Sequence, residues 1–151
     1  MKRAFGLLVV LILVMGIGCA AAEQRVNLPD SAYSLALPDE MKYSAPGPQS
    51  TERFAYAAKK LGLEISFYRY DDNGWTLDAL AQNMLSQYDD IKMTRVNGIE
   101  MIVYRAESAT GDGMKAIGYV MKDGHAIIEI TFWYANQKAA DMTKTIMESI
   151  R

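Results

Sequence analysis

From Leu77 to Tyr88 the apolar residues Leu77, Leu80, Ala81, Met84, Leu85 and Tyr88 recur at the spacing of one helical face, so the pattern predicts an amphipathic helix. Thr76 is placed to cap it, Asp78 sits in the first turn where the helix dipole favours a negative charge, and Trp75 and Leu80 stand at the staple positions N′ and N4. A second helical pattern runs through NQKAADMTKTIMESI, with Ala139, Met142, Ile146 and Ile150 on one face and Asn136 as its cap. Elsewhere the period is two. AYSLAL at 32–37 alternates and predicts a strand, stopped by Pro38-Asp39. The polar stretch from Glu23 to Asp30 reads as a lead-in and Ser44 to Thr51 as an irregular surface connection. Arg53 to Lys60 and Leu63 to Tyr70, separated by a Leu-Gly break, predict a hairpin.

The sharpest local signal is IKMTRV-NG-IEMIVYRA, two alternating runs joined by Asn97-Gly98, the pair best suited to the two positive-φ positions of a type I′ turn. The register follows: Val96 faces Ile99, Arg95 faces Glu100, Met93 faces Ile102 and Ile91 faces Tyr104. Asp123-Gly124 reads as a second tight turn, which would set Lys122 opposite His125 and Tyr119 opposite Ile128. One face of that hairpin then collects Tyr119, Met121, Ile128, Ile130 and Phe132, and the other Val120, Ile127, Glu129, Thr131 and Trp133. Neither hairpin leaves a wholly polar face, whereas an antiparallel sheet wet on one side alternates more cleanly. The expected fold is therefore α+β: an antiparallel sheet of about six or seven strands with helices packed on both faces, in the order β-(ββ)-α-ββ-ββ-α.

The first 22 residues belong to a different class. Lys2 and Arg3 precede an apolar stretch from Phe5 to Ile17, and Ala20-Ala21-Ala22 offers a small-residue cleavage site, which is the pattern of a secretory signal peptide. Cleavage after Ala22 is favoured. Lipidation of Cys19, the only cysteine, is the alternative: Gly18 suits a lipoprotein signal, but Gly16 stands where a branched residue is usual. Retention as an anchor is the third reading, since Ala4 to Ala22 is a weakly interrupted apolar run of a length that crosses a core of ~30 Å. The expected organisation is a leader over 1–22 and one α+β domain over 23–151, exported to the periplasm or beyond, with a membrane tie only through Cys19 or an uncut leader.

Removal of 22 residues from 151 leaves 129, enough for one packed core without disulfides or a structural metal. Without Cys19 that domain has no thiol, which excludes bridges, thiolate catalysis and Cys-ligated zinc. Loss of Lys2 and Arg3 takes the formal net charge from −2 to −4. The remaining cations are scattered apart from Lys59-Lys60, so nucleic acid is not an expected partner.

Candidate chemistry is sparse. The one histidine, His125, follows a turn, and no G-x-S-x-G elbow presents a serine to it. Asp71-Asp72-Asn73-Gly74 brings its glycine at the fourth position and Gln82 at the twelfth, against the sixth-position Gly and twelfth-position Glu of an EF-hand loop. It reads as the turn into the Thr76 cap. Gly111-Asp112-Gly113 joins strands instead of opening a helix, so it lacks the N-terminus that cradles phosphate. Glu100 and Glu129 lie on strands at a separation the sequence does not set, and Glu100 faces Arg95. No catalytic residue, metal ligand or cofactor is expected. The aromatic residues combine an apolar body with a polar tip, and core-edge packing accounts for most of them. A ligand or partner groove, if present, is expected where Tyr68, Tyr70 and Trp75 converge at a strand-to-helix junction, with Trp133 as a weaker member.

Four stretches, SLALPDEMKYS, GWTLDALAQ, VNGIEMIVYRAES and HAIIEITFWYANQKAADMTKTIMESI, together resemble the PsbP-like superfamily, particularly its small exported bacterial members of the DcrB type. The resemblance runs from Tyr33 to Ile150 and lies in element order and residue character. It implies an antiparallel sheet flanked by helices on both faces, working through protein contacts or as an accessory to membrane complexes, and it brings no catalytic residues. The expected function is a non-enzymatic exported binding or accessory protein whose partner is another envelope protein. The alternative from another class is a small-molecule carrier or enzyme on a cystatin-like or NTF2-like curved sheet, with a pocket on one concave face.

Overall fold

The computed structural model describes residues 23–46, 53–88, 90–109 and 111–151; the leader over 1–22, with Cys19, and most of the connection over 44–51 lie outside them. The chain runs β1 (Glu23–Asn27), β2 (Ser34–Pro38), β3 (Lys42–Ser44), β4 (Phe54–Ala58), β5 (Leu63–Asp71), α1 (Leu77–Met84), β6 (Ile91–Val96), β7 (Ile99–Glu107), β8 (Lys115–Asp123), β9 (Ala126–Tyr134) and α2 (Gln137–Glu148). Seven strands form one antiparallel sheet in the order β3-β4-β5-β9-β8-β7-β6, and β1 pairs with β2 in a separate ribbon. The AYSLAL strand is therefore not part of the main sheet; the short β3 takes its place in the count. The presumed polar lead-in is strand β1, whose partners on β2 run from Ser34 to Pro38. Ser34, Leu35, Ala36 and Leu37 are all buried, whereas their β1 neighbours Arg25 and Asn27 are exposed, so the alternation in AYSLAL does not mark a wet face of β2.

The Asn97-Gly98 hairpin has the expected register throughout: Ile91↔Tyr104, Met93↔Ile102, Arg95↔Glu100 and Val96↔Ile99. Both turn residues have positive φ, +50° and +84°. Asn97 also does something its turn propensity does not require: its side-chain amide donates to the carbonyls of Glu148 and Ile150, each at 2.8 Å, closing the C-terminal end of α2 where backbone acceptors lack partners. The second tight hairpin differs. Its central residues are Gly124 and His125, so Asp123 pairs with Ala126 and Tyr119 with Ile130, two positions away from the expected partners. Gly124, at φ +62°, takes the first central position, which is the glycine position of a type II′ turn. A slip of two conserves the face of every side chain, so the expected core face survives.

Two separate apolar clusters flank the sheet. One contains Phe67, Met121, Ile128, Ile130 and Phe132 with Leu35 and Leu37 of the ribbon and Ala139, Ile146 and Met147 of α2. The other contains Ile102, Tyr104, Val120 and Ile127 with Ala81 and Met84 of α1, and Leu77, Leu80 and Tyr88 pack against it. Since consecutive strand residues face opposite ways, Met121 and Val120, like Ile128 and Ile127, serve different faces. Even cover by helices on both faces is not what forms: the ribbon and α2 belong to the first cluster, and α1, only eight residues long, belongs to the second. α1 stops at Met84, leaving Leu85 exposed, and Tyr88 packs from the turn beyond it. Both expected caps form, with Thr76 and Asn136 each accepting from the backbone N–H three residues on.

Candidate functional site

The α1 side of the sheet holds the candidate aromatic residues. Register places Tyr68 beside Glu129 and Tyr70 beside Ile127, and the two tyrosine rings run parallel, 6.1 Å between centroids and 8° between planes. Trp75 reaches the same region from the start of α1: it lines a shallow depression with Leu80 and Ile127. Tyr70 and Trp75 are 39% and 41% exposed, values that separate them from core-edge residues. Trp133 is not brought to them. It lies six residues from Ile127 along β9, about 20 Å at the usual strand rise, half-buried between Ala116 and Glu64.

A polar latch fixes Trp75. The buried Asp72 accepts from the Gly74 N–H through its carboxylate and from the Trp75 N–H through its carbonyl, each at 2.8 Å. Lys122 binds that carboxylate at 2.6 Å and donates to the Trp75 carbonyl at 2.8 Å. The DDNG run is thus a turn into the helix. The Lys122 hydrogen bond, followed by that from Gly74, holds the Asp72 carboxyl below its ordinary pKa of 3.8. A carboxyl depressed on folding stabilises the fold above its unfolded pKa, and that contribution is lost as pH falls through the folded value. Acidification below about pH 4 is therefore expected to change Trp75 emission in a Trp133→Phe background while far-UV dichroism holds, and Asp72→Asn is expected to remove the step. An identical acid step in Asp72→Asn would contradict the latch. His125, exposed in the neighbouring turn, faces Asp72 at 3.9 Å.

At the centre of this face lies a cluster that the sequence reading missed. Tyr104 lies over Gly118, its cross-strand partner. Its hydroxyl donates to the Glu129 carboxylate and lies 3.1 Å from the Thr131 hydroxyl, which itself donates to Glu129 at 3.2 Å. Tyr88 stacks on the Tyr104 ring with centroids 4.3 Å apart. Burial, and then the charge of Glu129, push the Tyr104 hydroxyl well above the ordinary tyrosine range, so it stays a proton donor to Glu129. The tyrosine-over-glycine signal was available in principle, but finding it required the β7–β8 register, which no tight turn specifies. Glu100 has its expected neighbour Arg95 at 3.9 Å, with both side chains exposed, and is not part of this cluster. Among the described residues no three His, Cys, Asp or Glu side chains converge as metal ligands would, and no helix is long and apolar enough to cross a membrane.

No family model and no curated protein matches the chain. Solved structures do. The chain is similar to the solution structure of cyanobacterial PsbP (CyanoP) from Synechocystis sp. PCC 6803, with a TM-score of 0.69 and 14% identity over 90% of this chain and 95% of that one. It is also similar to a crystal structure from Bacteroides thetaiotaomicron VPI-5482, with a TM-score of 0.61 and 11% identity over 84% of this chain and 47% of that one. At such identities the likeness speaks to the fold alone, and the fold is PsbP-like.

Proposed function

We propose that this chain is a non-enzymatic, exported binding or accessory protein of the bacterial cell envelope, a DcrB-type member of the PsbP-like superfamily, and that its partner is another envelope protein. In this reading the helices cover opposite faces of one sheet for different purposes: the α2 side carries the larger apolar core, and the α1 side is the contact surface. One observation carries it. Of the five large apolar side chains exposed among the described residues, Tyr70, Trp75, Leu85 and Met93 all belong to the α1 side, with Tyr43 alone elsewhere. Exposed apolar groups gathered on one side of a sheet favour that side for interaction, and aromatic residues and Met are the types enriched at interfaces. The leader pattern supports export, and the mass of the mature protein separates a Glu23 start from a lipidated Cys19.

The test is a photo-crosslinking amino acid placed at Trp75 of the full chain in its native host, compared with the same group at Lys138, an exposed position on α2. One discrete adduct with an envelope protein from position 75, absent from 138, is expected. Identical adduct patterns from the two positions would remove the contact surface from the α1 side.

A further inference from the structure

β6 is an edge of the main sheet, and it carries none of the features that usually blunt an edge by shape. Its six residues pair with β7 without a bulge and contain no proline. The two-residue turn makes Val96 and Ile99 a hydrogen-bonded pair, and alternation then directs the backbone N–H and C=O of Met93 and Arg95 away from β7. The strand IKMTRV has two cations and no acid, in a chain of net charge −2. Lys92 and Arg95 point to opposite faces with side chains 70% and 68% exposed. Asp90 is shared between Lys92 and Arg105, 3.3 Å from each, and Glu100 lies 3.9 Å from Arg95, so three cations at this edge face two carboxylates. On the α2 side of this edge an open groove of about 1560 Å³ runs between the sheet and α2, lined in part by Val96, Val103, Ile117, Tyr119 and Met147.

We infer that β6 is the docking edge for an extended acidic segment of a partner protein, which adds to the sheet as an eighth strand. Backbone bonds to Met93 and Arg95 would hold it, as in other strand additions, and apolar side chains on one side of it would enter the groove. Edge cations deter unselective pairing, but opposite charges across a ladder attract while like charges repel. Because Lys92 and Arg95 are three residues apart on opposite faces, the matching segment carries acidic residues three apart. A second copy of this chain offers the same two cations and no acid from its own β6, so charge selects a different strand. This inference does not depend on the aromatic surface beside α1, and neither result decides the other.

The probe is a fluorescent eight-residue peptide of alternating Val and Thr with two glutamates three apart, compared by anisotropy with the same peptide carrying lysines. The glutamate peptide is expected to bind the purified protein roughly tenfold more tightly, two cross-strand charge pairs being changed from repulsive to attractive. Met93→Pro, which removes an outward N–H at a position where an edge strand tolerates proline, is expected to abolish binding. Lys92→Glu with Arg95→Glu is expected to invert the peptide preference, and this reading decides the matter if the proline variant fails to fold. Equal affinity for the two peptides, binding indifferent to Met93→Pro in a folded protein, or a preference unmoved by charge reversal would overturn the inference. So would a dimer in sedimentation equilibrium that Met93→Pro disperses, since the edge would then belong to a second copy.

Discussion

Alanine at Gly118 is expected to destabilise the protein by about 3 kcal/mol, the upper part of the range for overpacking a filled site, lowering the melting temperature by about 10 °C for a domain of this size. The cause is local: a Cβ at 118 would be built inside the Tyr104 ring. That ring cannot retreat freely, because Tyr88 stacks on it and its hydroxyl is held by Glu129 and Thr131. Displacing it would strip a buried hydroxyl of its partners, which is more damaging than loss of the contact alone. The double mutant isolates the effect. With Tyr104→Ala already present, Gly118→Ala should have an effect near zero or slightly stabilising, since alanine suits a strand interior better than glycine when space allows. Equal penalties in the two backgrounds, read from denaturant midpoints, would mean that the ring does not occupy that space.

Asn97→Ala is expected to remove about 3–4 kcal/mol by two routes that substitution can separate. The residue lies at φ +50°, where an ordinary side chain is strained by roughly 1–2 kcal/mol, and its amide satisfies two carbonyls at the end of α2, each bond contributing about 1 kcal/mol. Glycine relieves the strain without restoring the bonds. Asn97→Gly should therefore recover about half of the loss while leaving the α2 terminus frayed, with faster amide exchange in the last turn. Full recovery of stability in Asn97→Gly would reduce Asn97 to a turn residue and uncouple the hairpin from the helix.

These two sites differ in how far the sequence announced them. Asn97-Gly98 declared its turn because only a few residue pairs accept two positive φ values, and a two-residue loop sets every pair behind it. Nothing in that signal pointed to α2, since the contact spans about fifty positions. At the second hairpin the Asp-Gly pair suggested the wrong central residues, yet a displacement of two leaves the core face intact, so the buried residues were read correctly from a mistaken register. β1 was hidden because EQRVN buries only one clearly apolar residue, Val26, and owes its structure to pairing with β2. The aromatic site was legible in part. Tyr68 and Tyr70 stack and Trp75 reaches Ile127, the partner of Tyr70, because β5 leads through a short turn into α1, whereas Trp133 looked related by residue type and sits at the far end of β9. The Tyr104–Glu129 cluster depends on two strands joined by a longer connection, where periodicity assigns faces but not partners.

Underlying both variants and the proposed contact surface is a single arrangement, one sheet whose neighbouring residues serve two unlike sides. Methyl-selective nuclear Overhauser spectroscopy reads it directly at Met121 and Val120, adjacent on β8. Cross-peaks are expected from Val120 to α1 methyls and from Met121 to the β2 and α2 cluster, with no exchange of partners. Cross-peaks from both residues to the same helix would contradict it.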